Sequence, residues 1–200
     1  KKIAENIETE IFVHGALCSC FSGHCYMSSF IGGNSGNRGL CKQPCRKKYT
    51  LETKVRNGEY AISLSDLKLD DYISKIENLG VSSLKIEGRM RSPEYVAAAV
   101  RLYRAAIDGK NIDESEIYRT YNRGNYTKGY AFGFDGDILS DKIQNHTGEF
   151  FGIVKSVGNG RLTIDNANYA VGDCFKIIRD GREVGNAAAD DKKGLAYKGD

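Results

Sequence analysis

The stretch that decides the fold is Val81-Ser-Ser-Leu-Lys-Ile-Glu-Gly-Arg-Met-Arg-Ser-Pro-Glu-Tyr95, with the alanine-rich run that follows it as far as Gly109. Residues 81–87, with Val81, Leu84 and Ile86 as their apolar members, are predicted to form a buried strand. Ser92, followed by proline and glutamate, predicts a helix start, because serine caps the first turn and proline fits the first helical position. The helix is predicted over residues 92–107 and ends at the glycine.

Further elements precede this stretch. Residues 61–64 favour a strand, and residues 66–78 favour an amphipathic helix that ends at Gly80. Strand, helix, strand and long helix in alternation are typical of parallel βα units. Two or three such units make a poor closed domain, so we predict the C-terminal half of a βα (TIM-like) barrel. The chain opens part-way through a helical pattern at residues 1–8, and we expect the N-terminal half of the barrel upstream.

The character of the chain changes after the long helix. The connection that follows is rich in aromatic residues and glycine; its tyrosines over residues 121–130 are candidates for stacking on a nucleic-acid base, with packing between two domains as the alternative. Short alternating runs then follow, separated by Gly158-Asn-Gly160 and Asp180-Gly181, which are strong hairpin signals. We therefore predict an α/β protein in three parts: a partial βα barrel over residues 1–118, an ordered connection over 119–146, and a small antiparallel β-barrel module over 147–200.

Composition and charge narrow the classes of protein. Hydrophobic residues make up 40% of the chain and charged residues 28%, which is typical of a folded globular protein. The apolar runs are short and no cleavable leader is visible, so we expect no membrane span and a cytoplasmic location. The formal net charge is only +3, but cations concentrate between residues 38 and 54. Arg46, Lys47 and Lys48 are therefore candidate phosphate contacts, although a solvated basic face explains the density equally well.

Five of the six cysteines fall within residues 18–45. A secreted disulfide scaffold is usually cysteine-rich along its whole length, so this uneven distribution favours a metal centre over disulfides or plain buried thiols. Six residues separate Cys18 from Cys25, which is a wide spacing for two ligands of a structural zinc ion. Iron–sulfur clusters accept more varied spacing between their cysteines. Cys20 is left open as a replacement ligand, a redox thiol or a core residue, and Cys174 is predicted to be core. The candidate ligands are Cys18, Cys25, Cys41 and Cys45.

A second candidate site lies at the C-terminal end of the predicted strand 81–87, where βα-barrel enzymes place their chemistry. Lys85 and Glu87 alternate with an isoleucine and are therefore predicted to share one face. Arg89 is suited to bidentate binding of a carboxylate or a phosphate. These three residues are the candidate catalytic group, and a salt-bridged pair that serves only the fold is the alternative.

Glu10-Ile-Phe-Val-His-Gly-Ala-Leu-Cys-Ser-Cys-Phe-Ser-Gly-His-Cys-Tyr-Met-Ser28 resembles the signature of peptidase family U32, the collagenase-like peptidases. The resemblance covers nearly the whole chain. Further blocks similar to the family follow in order: Arg38-Gly-Leu-Cys-Lys-Gln-Pro-Cys-Arg46, Leu64-Ser-Asp-Leu67, Ser83-Leu-Lys-Ile-Glu-Gly-Arg-Met-Arg-Ser-Pro-Glu-Tyr95, Asn122-Arg-Gly124, Lys128-Gly-Tyr130 and Asn145-His146.

The resemblance implies oxidative chemistry, despite the name of the family. Better-understood members hydroxylate RNA bases or a ubiquinone precursor and carry a [4Fe–4S] cluster on four cysteines, and the RNA enzymes depend on prephenate. What carries over is a [4Fe–4S] cluster on Cys18, Cys25, Cys41 and Cys45, RNA as the partner and prephenate as a co-substrate. We therefore expect hydroxylation of a pyrimidine base in tRNA or rRNA. The alternatives are proteolysis and a cluster-bearing binding subunit.

Proteolysis finds little support in the residues themselves. His14 and His24 lie near the cysteines, so a thiol–histidine pair is conceivable. Four thiols committed to a cluster leave little room for a nucleophile, however. The helix motif of zinc proteases is missing from the sequence, and Phe21-Ser-Gly23 is only half of a serine nucleophile elbow.

Overall fold

The structure is a computed structural model that describes residues 1–21, 23–50, 59–134, 136, 138–166, 168–191 and 194–199. The chain divides into two compact units, Lys1–His146 and Thr147–Asp200. The predicted connection over residues 119–146 therefore belongs to the first unit. Along the described ranges, no helix combines the length and the apolar character needed to cross a membrane.

The first unit contains a mixed four-stranded sheet in the order β3-β1-β2-β4. Its strands are β1 (Glu10–Ala16), β2 (Asp66–Lys68), β3 (Ser83–Ile86) and β4 (Tyr126–Thr127). Strand β1 pairs in parallel with β3 but antiparallel with β2, and β2 pairs in parallel with β4. The α/β class is confirmed. The prediction of parallel strands is confirmed for β1 with β3 and for β2 with β4, but not for β1 with β2. Within the described ranges this sheet does not close, and no TIM-like barrel is formed.

The helix signals after β3 are confirmed. The hydroxyl of Ser92 caps the long helix by accepting a hydrogen bond from the backbone N–H of Tyr95 at 3.3 Å, and Pro93 opens it. This helix packs against the sheet through Tyr95, Ala98, Ala99, Leu102 and Tyr103. The helices are α1 (Met27–Gly32), α2 (Ile73–Glu77), α3 (Pro93–Ile107) and α4 (Ser115–Thr120), with 3-10 turns at Gly36–Arg38, Pro44–Arg46 and Asp70–Tyr72.

The region before β3 differs from the sequence prediction. The helix predicted over residues 66–78 begins only at Ile73, because its first residues form β2. The strand predicted over residues 61–64 is reduced to one bridge between Leu64 and Leu139. The apolar spacing fits a helix, but backbone pairing of β2 with both β1 and β4 prevails over local preference.

Close approach of β1 and β3 depends on a glycine. Gly15 has a φ of +116°, and a β-carbon there would lie 2.6 Å from the carbonyl oxygen of Glu87. Any side chain at this position would push the end of β3 away from β1. Gly15 therefore sets the distance between the end of β3 and the chain that leads into Cys18.

The second unit is one antiparallel sheet in the order β5-β6-β9-β8-β7. Both predicted hairpins are confirmed, since Asn159 and Asp180 have φ values of 50° and 51° and each precedes a glycine of positive φ, as the primed turns require. Cys174 was predicted to be a core residue, and this prediction is wrong because Cys174 is exposed. The sheet does not close into a barrel within the described ranges. Its strands are β5 (Val154–Gly158), β6 (Arg161–Ile164), β7 (Cys174–Arg179), β8 (Arg182–Asp191) and β9 (Gly194–Gly199), of which β8 and β9 are not predicted from the sequence.

Candidate functional site

The clustered cysteines lie on residues 17–49, here called the cysteine segment, which leaves β1 at its C-terminal end. Cys18 and Cys41 are exposed, whereas Cys20, Cys25 and Cys45 are partly buried. All five are free thiols. Their sulfurs are therefore chemically available as ligands.

Arg46 ties the two ends of the cysteine segment together. It is only 5% exposed, and its side chain reaches across the end of the sheet. Because Arg46 follows Cys45, its bond to Leu17, the residue before Cys18, links the two ends of the segment. The guanidinium donates to three oxygens: Ser63 Oγ at 2.8 Å, the carbonyl of Leu17 at 2.9 Å and the carbonyl of Leu64.

Ser28 organises the middle of the segment. Its buried hydroxyl accepts a hydrogen bond from the backbone N–H of Lys42 at 3.0 Å and lies 3.8 Å from the sulfur of Cys41. The backbone N–H of Gln43 points at the same sulfur from 3.3 Å, and Gln43 has a φ of 52°. Donors of this kind stabilise a thiolate, and hydrogen bonds to sulfur tune iron–sulfur clusters.

The donor set separates two kinds of metal centre. Tetrahedral zinc with bonds of about 2.3 Å requires sulfurs roughly 3.8 Å apart. In the described part of the chain, no three cysteine sulfurs lie within 4.8 Å of one another. A four-iron cluster occupies the space between its ligands and holds them further apart than a zinc ion does, and four free thiols on one segment suit its donor set.

One carboxylate group carries no metal argument. Asp70, Asp71 and Glu114 are the single set of three possible ligands within 4.8 Å in the ranges that the structure describes. The ammonium of Lys68 lies 2.9 Å from both Asp70 and Glu114 and already neutralises part of their charge. This group is an ion-pair network of the fold.

The predicted catalytic group separates into two parts. Lys85 pairs with Glu10 at 3.0 Å, and both side chains are about half exposed, at 48% and 49%. Glu87 instead accepts a hydrogen bond from the backbone N–H of Arg89 at 3.2 Å. The Nη2 of Arg89 lies 3.5 Å from the carbonyl oxygen of Gly39, two residues before Cys41. The structure therefore brings Arg89 to the cysteine segment and leaves Lys85 in an exposed ion pair.

The basic residues after Cys45 also separate. Arg46 is buried and spent on internal hydrogen bonds, so it does not face outward as its predicted phosphate contact would require. Lys47 is exposed, and Lys48 is exposed but pairs with Glu59 at 2.6 Å. Lys54, at the end of the basic stretch, lies outside the described residues.

A buried ion cluster at the same end of the sheet is absent from the sequence prediction. Asp66 is fully buried and binds both Arg91, at 3.3 Å, and Arg123. The Arg91 guanidinium lies 3.4 Å from the centre of the Tyr121 ring, which stacks on His146. Of the tyrosines expected to stack a base, Tyr121 and Tyr126 pack inside the first unit, whereas Tyr130 is 70% exposed. Asp66 by itself gives no sequence signal of this cluster, because Arg91 and Arg123 lie 25 and 57 positions further along the chain.

His14 is buried four residues before Cys18. The Tyr103 hydroxyl donates to the carbonyl of Val13 at 2.5 Å, so the contact of 3.4 Å between Tyr103 and Nδ1 of His14 requires the imidazole to be the donor. Its Nε2 is then an unprotonated acceptor, and it has no hydrogen-bond partner among the described residues. Burial, reinforced by the charges of Lys68 and Arg91, lowers the pKa of His14 to about 3. Three tyrosine rings surround it: Tyr95, Tyr103 and Tyr126.

Comparison with known proteins covers mainly the first unit. The model of peptidase family U32 matches residues 1–141. A collagenase of Porphyromonas gingivalis is 41% identical over 142 residues, 64% of this chain and 39% of its own length. The tRNA hydroxylation protein P1 of Bacillus subtilis is 36% identical over 171 residues, 74% of this chain and 40% of its own. The chain thus spans about two fifths of these relatives, and no solved structure matches it.

Proposed function

The chain belongs to peptidase family U32, and from this premise we propose that it forms part of an enzyme that hydroxylates a pyrimidine base in transfer RNA. The observation that carries the proposal is the cysteine segment, in which four free thiols lie on a loop closed by Arg46. Relatives named tRNA hydroxylation proteins align with the larger part of this chain. A transfer-RNA substrate also agrees with a cytoplasmic enzyme.

Cys18, Cys25, Cys41 and Cys45 are the proposed ligands of a [4Fe–4S] cluster. Such a cluster supplies electrons one at a time. The residues of the chain prepare its place: Arg46 holds the ends of the segment together, and the N–H of Gln43 and the hydroxyl of Ser28 lie beside the Cys41 sulfur. Cys20 lies between Cys18 and Cys25 in the sequence and is partly buried; it is not one of the proposed ligands.

The charged residues around the segment bind the substrates in this proposal. Lys42 and Lys47 are exposed and suited to RNA phosphates. Prephenate, the proposed co-substrate, carries two carboxylates, and exposed Arg89 beside Gly39 is suited to bind one of them in a bidentate way. Glu87 positions this arginine by accepting the hydrogen bond from its backbone N–H.

Peptide hydrolysis is the second candidate because one relative carries the name collagenase. A thiol protease needs a histidine that accepts a proton near neutral pH. His14 is buried with a pKa of about 3, so it is a poor base for this purpose. His24 is exposed, and among the described residues no hydrogen bond joins its imidazole to a cysteine. The geometry therefore favours oxidation over hydrolysis.

The first test measures iron in the full-length protein, purified without oxygen. We expect a brown protein with about four irons per chain, as a Cys₄-held [4Fe–4S] cluster requires. Serine replacement of Cys18, Cys25, Cys41 or Cys45 should each remove the iron. The control Cys174→Ser, in the second unit, should retain it. A colourless protein with one bound zinc would contradict the proposal.

The reaction is tested separately by nucleoside analysis. Transfer RNA from a strain that lacks the gene should lose a hydroxylated pyrimidine, and the full-length gene should restore it while the Cys41→Ser variant should not. Unchanged nucleosides, together with cleavage of gelatin by the purified protein, would favour the peptidase. Unchanged nucleosides with iron bound and no cleavage would instead identify a binding subunit.

A further inference from the structure

A small cavity is formed, among the described residues, entirely by the cysteine segment. Its volume is about 150 Å³, and apolar surface makes up most of its lining. Pro44 and Ser28 form part of its wall, and Ser28 is the residue that contacts the Cys41 sulfur. The cavity therefore opens next to one of the proposed cluster ligands.

We propose that this cavity receives one pyrimidine base, turned out of a single-stranded RNA segment. The proposal rests on the proposed function and adds the place where the base binds. Enzymes that modify a base take it out of the stack and into a close-fitting pocket. A cavity of about 150 Å³ accommodates one benzene-sized ring, which a pyrimidine matches and a two-ring purine exceeds.

The lining provides an aromatic and apolar environment for such a ring. Tyr49 contributes an aromatic side chain, and its hydroxyl is held by donation to the carbonyl of Pro44 at 2.9 Å. Ile31 lines the cavity although its side chain is 69% exposed, so a bound base would cover apolar surface that now faces water. An aromatic side chain can stack on any base, so the size of the cavity is what distinguishes a pyrimidine from a purine.

The charges at the cavity suit a nucleotide better than a free apolar molecule. Lys42 and Lys47 both line it and are both exposed. A base inserted from a strand brings a phosphate on each side, and two lysines at one small cavity can neutralise both. Among the described residues that line the cavity, none is acidic.

The test compares three short single-stranded RNAs with full-length protein. They differ at one position, which carries uridine, adenosine or no base, and their binding is measured by fluorescence anisotropy. Wild-type protein should bind the uridine RNA about tenfold more tightly than the abasic RNA, which is the scale of one base–aromatic contact. Adenosine should bind more weakly than uridine. Tyr49→Ala should abolish the preference, whereas Tyr49→Phe, which keeps the ring, should retain it.

A second pair of variants tests the charges. Lys47→Ala should lower the salt dependence of binding by about one phosphate contact, whereas Lys110→Ala, exposed in the turn after α3, should not change it. Equal affinity for all three RNAs, or a preference that survives Tyr49→Ala, would overturn the cavity proposal. If hydroxylated nucleoside still forms in that case, the proposed function stands. If the protein binds none of the RNAs and forms no hydroxylated nucleoside, both fail.

Discussion

Burial of His14 should make the protein less stable in mild acid. The neutral imidazole is preferred in the fold, where its pKa is about 3, against 6.5 as the ordinary value. The unfolded chain therefore binds a proton as the pH falls below 6.5, while the folded chain does not. Stability due to His14 is complete above pH 6.5 and is lost progressively down to pH 3, below which both states are protonated.

The magnitude follows from these two pKa values. Between pH 7 and pH 5 the unfolded histidine changes from mostly neutral to almost fully protonated, and the folded one remains neutral. Since one pKa unit corresponds to about 1.4 kcal/mol, the free energy of unfolding should fall by about 2 kcal/mol over this interval. His14 is only 1% exposed, so solvent screening does not reduce this value appreciably.

The assay is urea unfolding from pH 7.5 to pH 5 for the wild-type protein and for His14→Gln. The variant keeps a side-chain donor but does not titrate, so its stability should depend less on pH, and the difference between the two proteins isolates the histidine. His24→Gln serves as the control, since His24 is exposed. Parallel stability curves for wild type and His14→Gln, or an NMR titration of the His14 ring above pH 5, would refute the buried neutral state.

Two further predictions concern the framework of the site. Asp66→Asn should lower the free energy of unfolding by about 3–5 kcal/mol in urea titration, because it leaves Arg91 and Arg123 with less compensation in a buried place; the control Glu116→Gln breaks an exposed ion pair and should cost about 1 kcal/mol or less. Ser92→Ala should cost about 1 kcal/mol through loss of the helix cap, and Ser92→Gly only a few tenths. Equal losses in either pair would contradict the roles assigned here.

Signals that depend on a few neighbouring residues predicted the structure well. The cap at Ser92 and the turns at Asn159 and Asp180 are decided by local backbone geometry, which the residue types themselves favour. The strand β3 likewise lies inside the predicted range of residues 81–87. In each case a short stretch of sequence contains the whole cause.

Pairings between distant segments were not predictable in the same way. Residues 66–68 have apolar spacing that suits a helix, and only the presence of β1 and β4 on either side makes them a strand. Asp66 appears as an ordinary polar residue of a helix start until Arg91 and Arg123 are found against it. Asp66 thus acquires its role from Arg91 and Arg123, which lie 25 and 57 positions away in the sequence.

The basic stretch after Cys41 shows what this limitation means for the site. As a sequence, Arg46 and Lys47 are equivalent cations, and both were predicted to contact phosphate. In the fold, Arg46 is buried, and its hydrogen bond to the Leu17 carbonyl joins the two ends of the cysteine segment. Burial, and after it the charge of Arg123, lowers the pKa of Arg46. A buried cation at this place would offset negative charge that the proposed iron–sulfur cluster adds. In the proposed function, phosphate binding is then left to the exposed lysines at the cavity, Lys42 and Lys47, and Arg46 would serve the proposed metal centre from inside the fold.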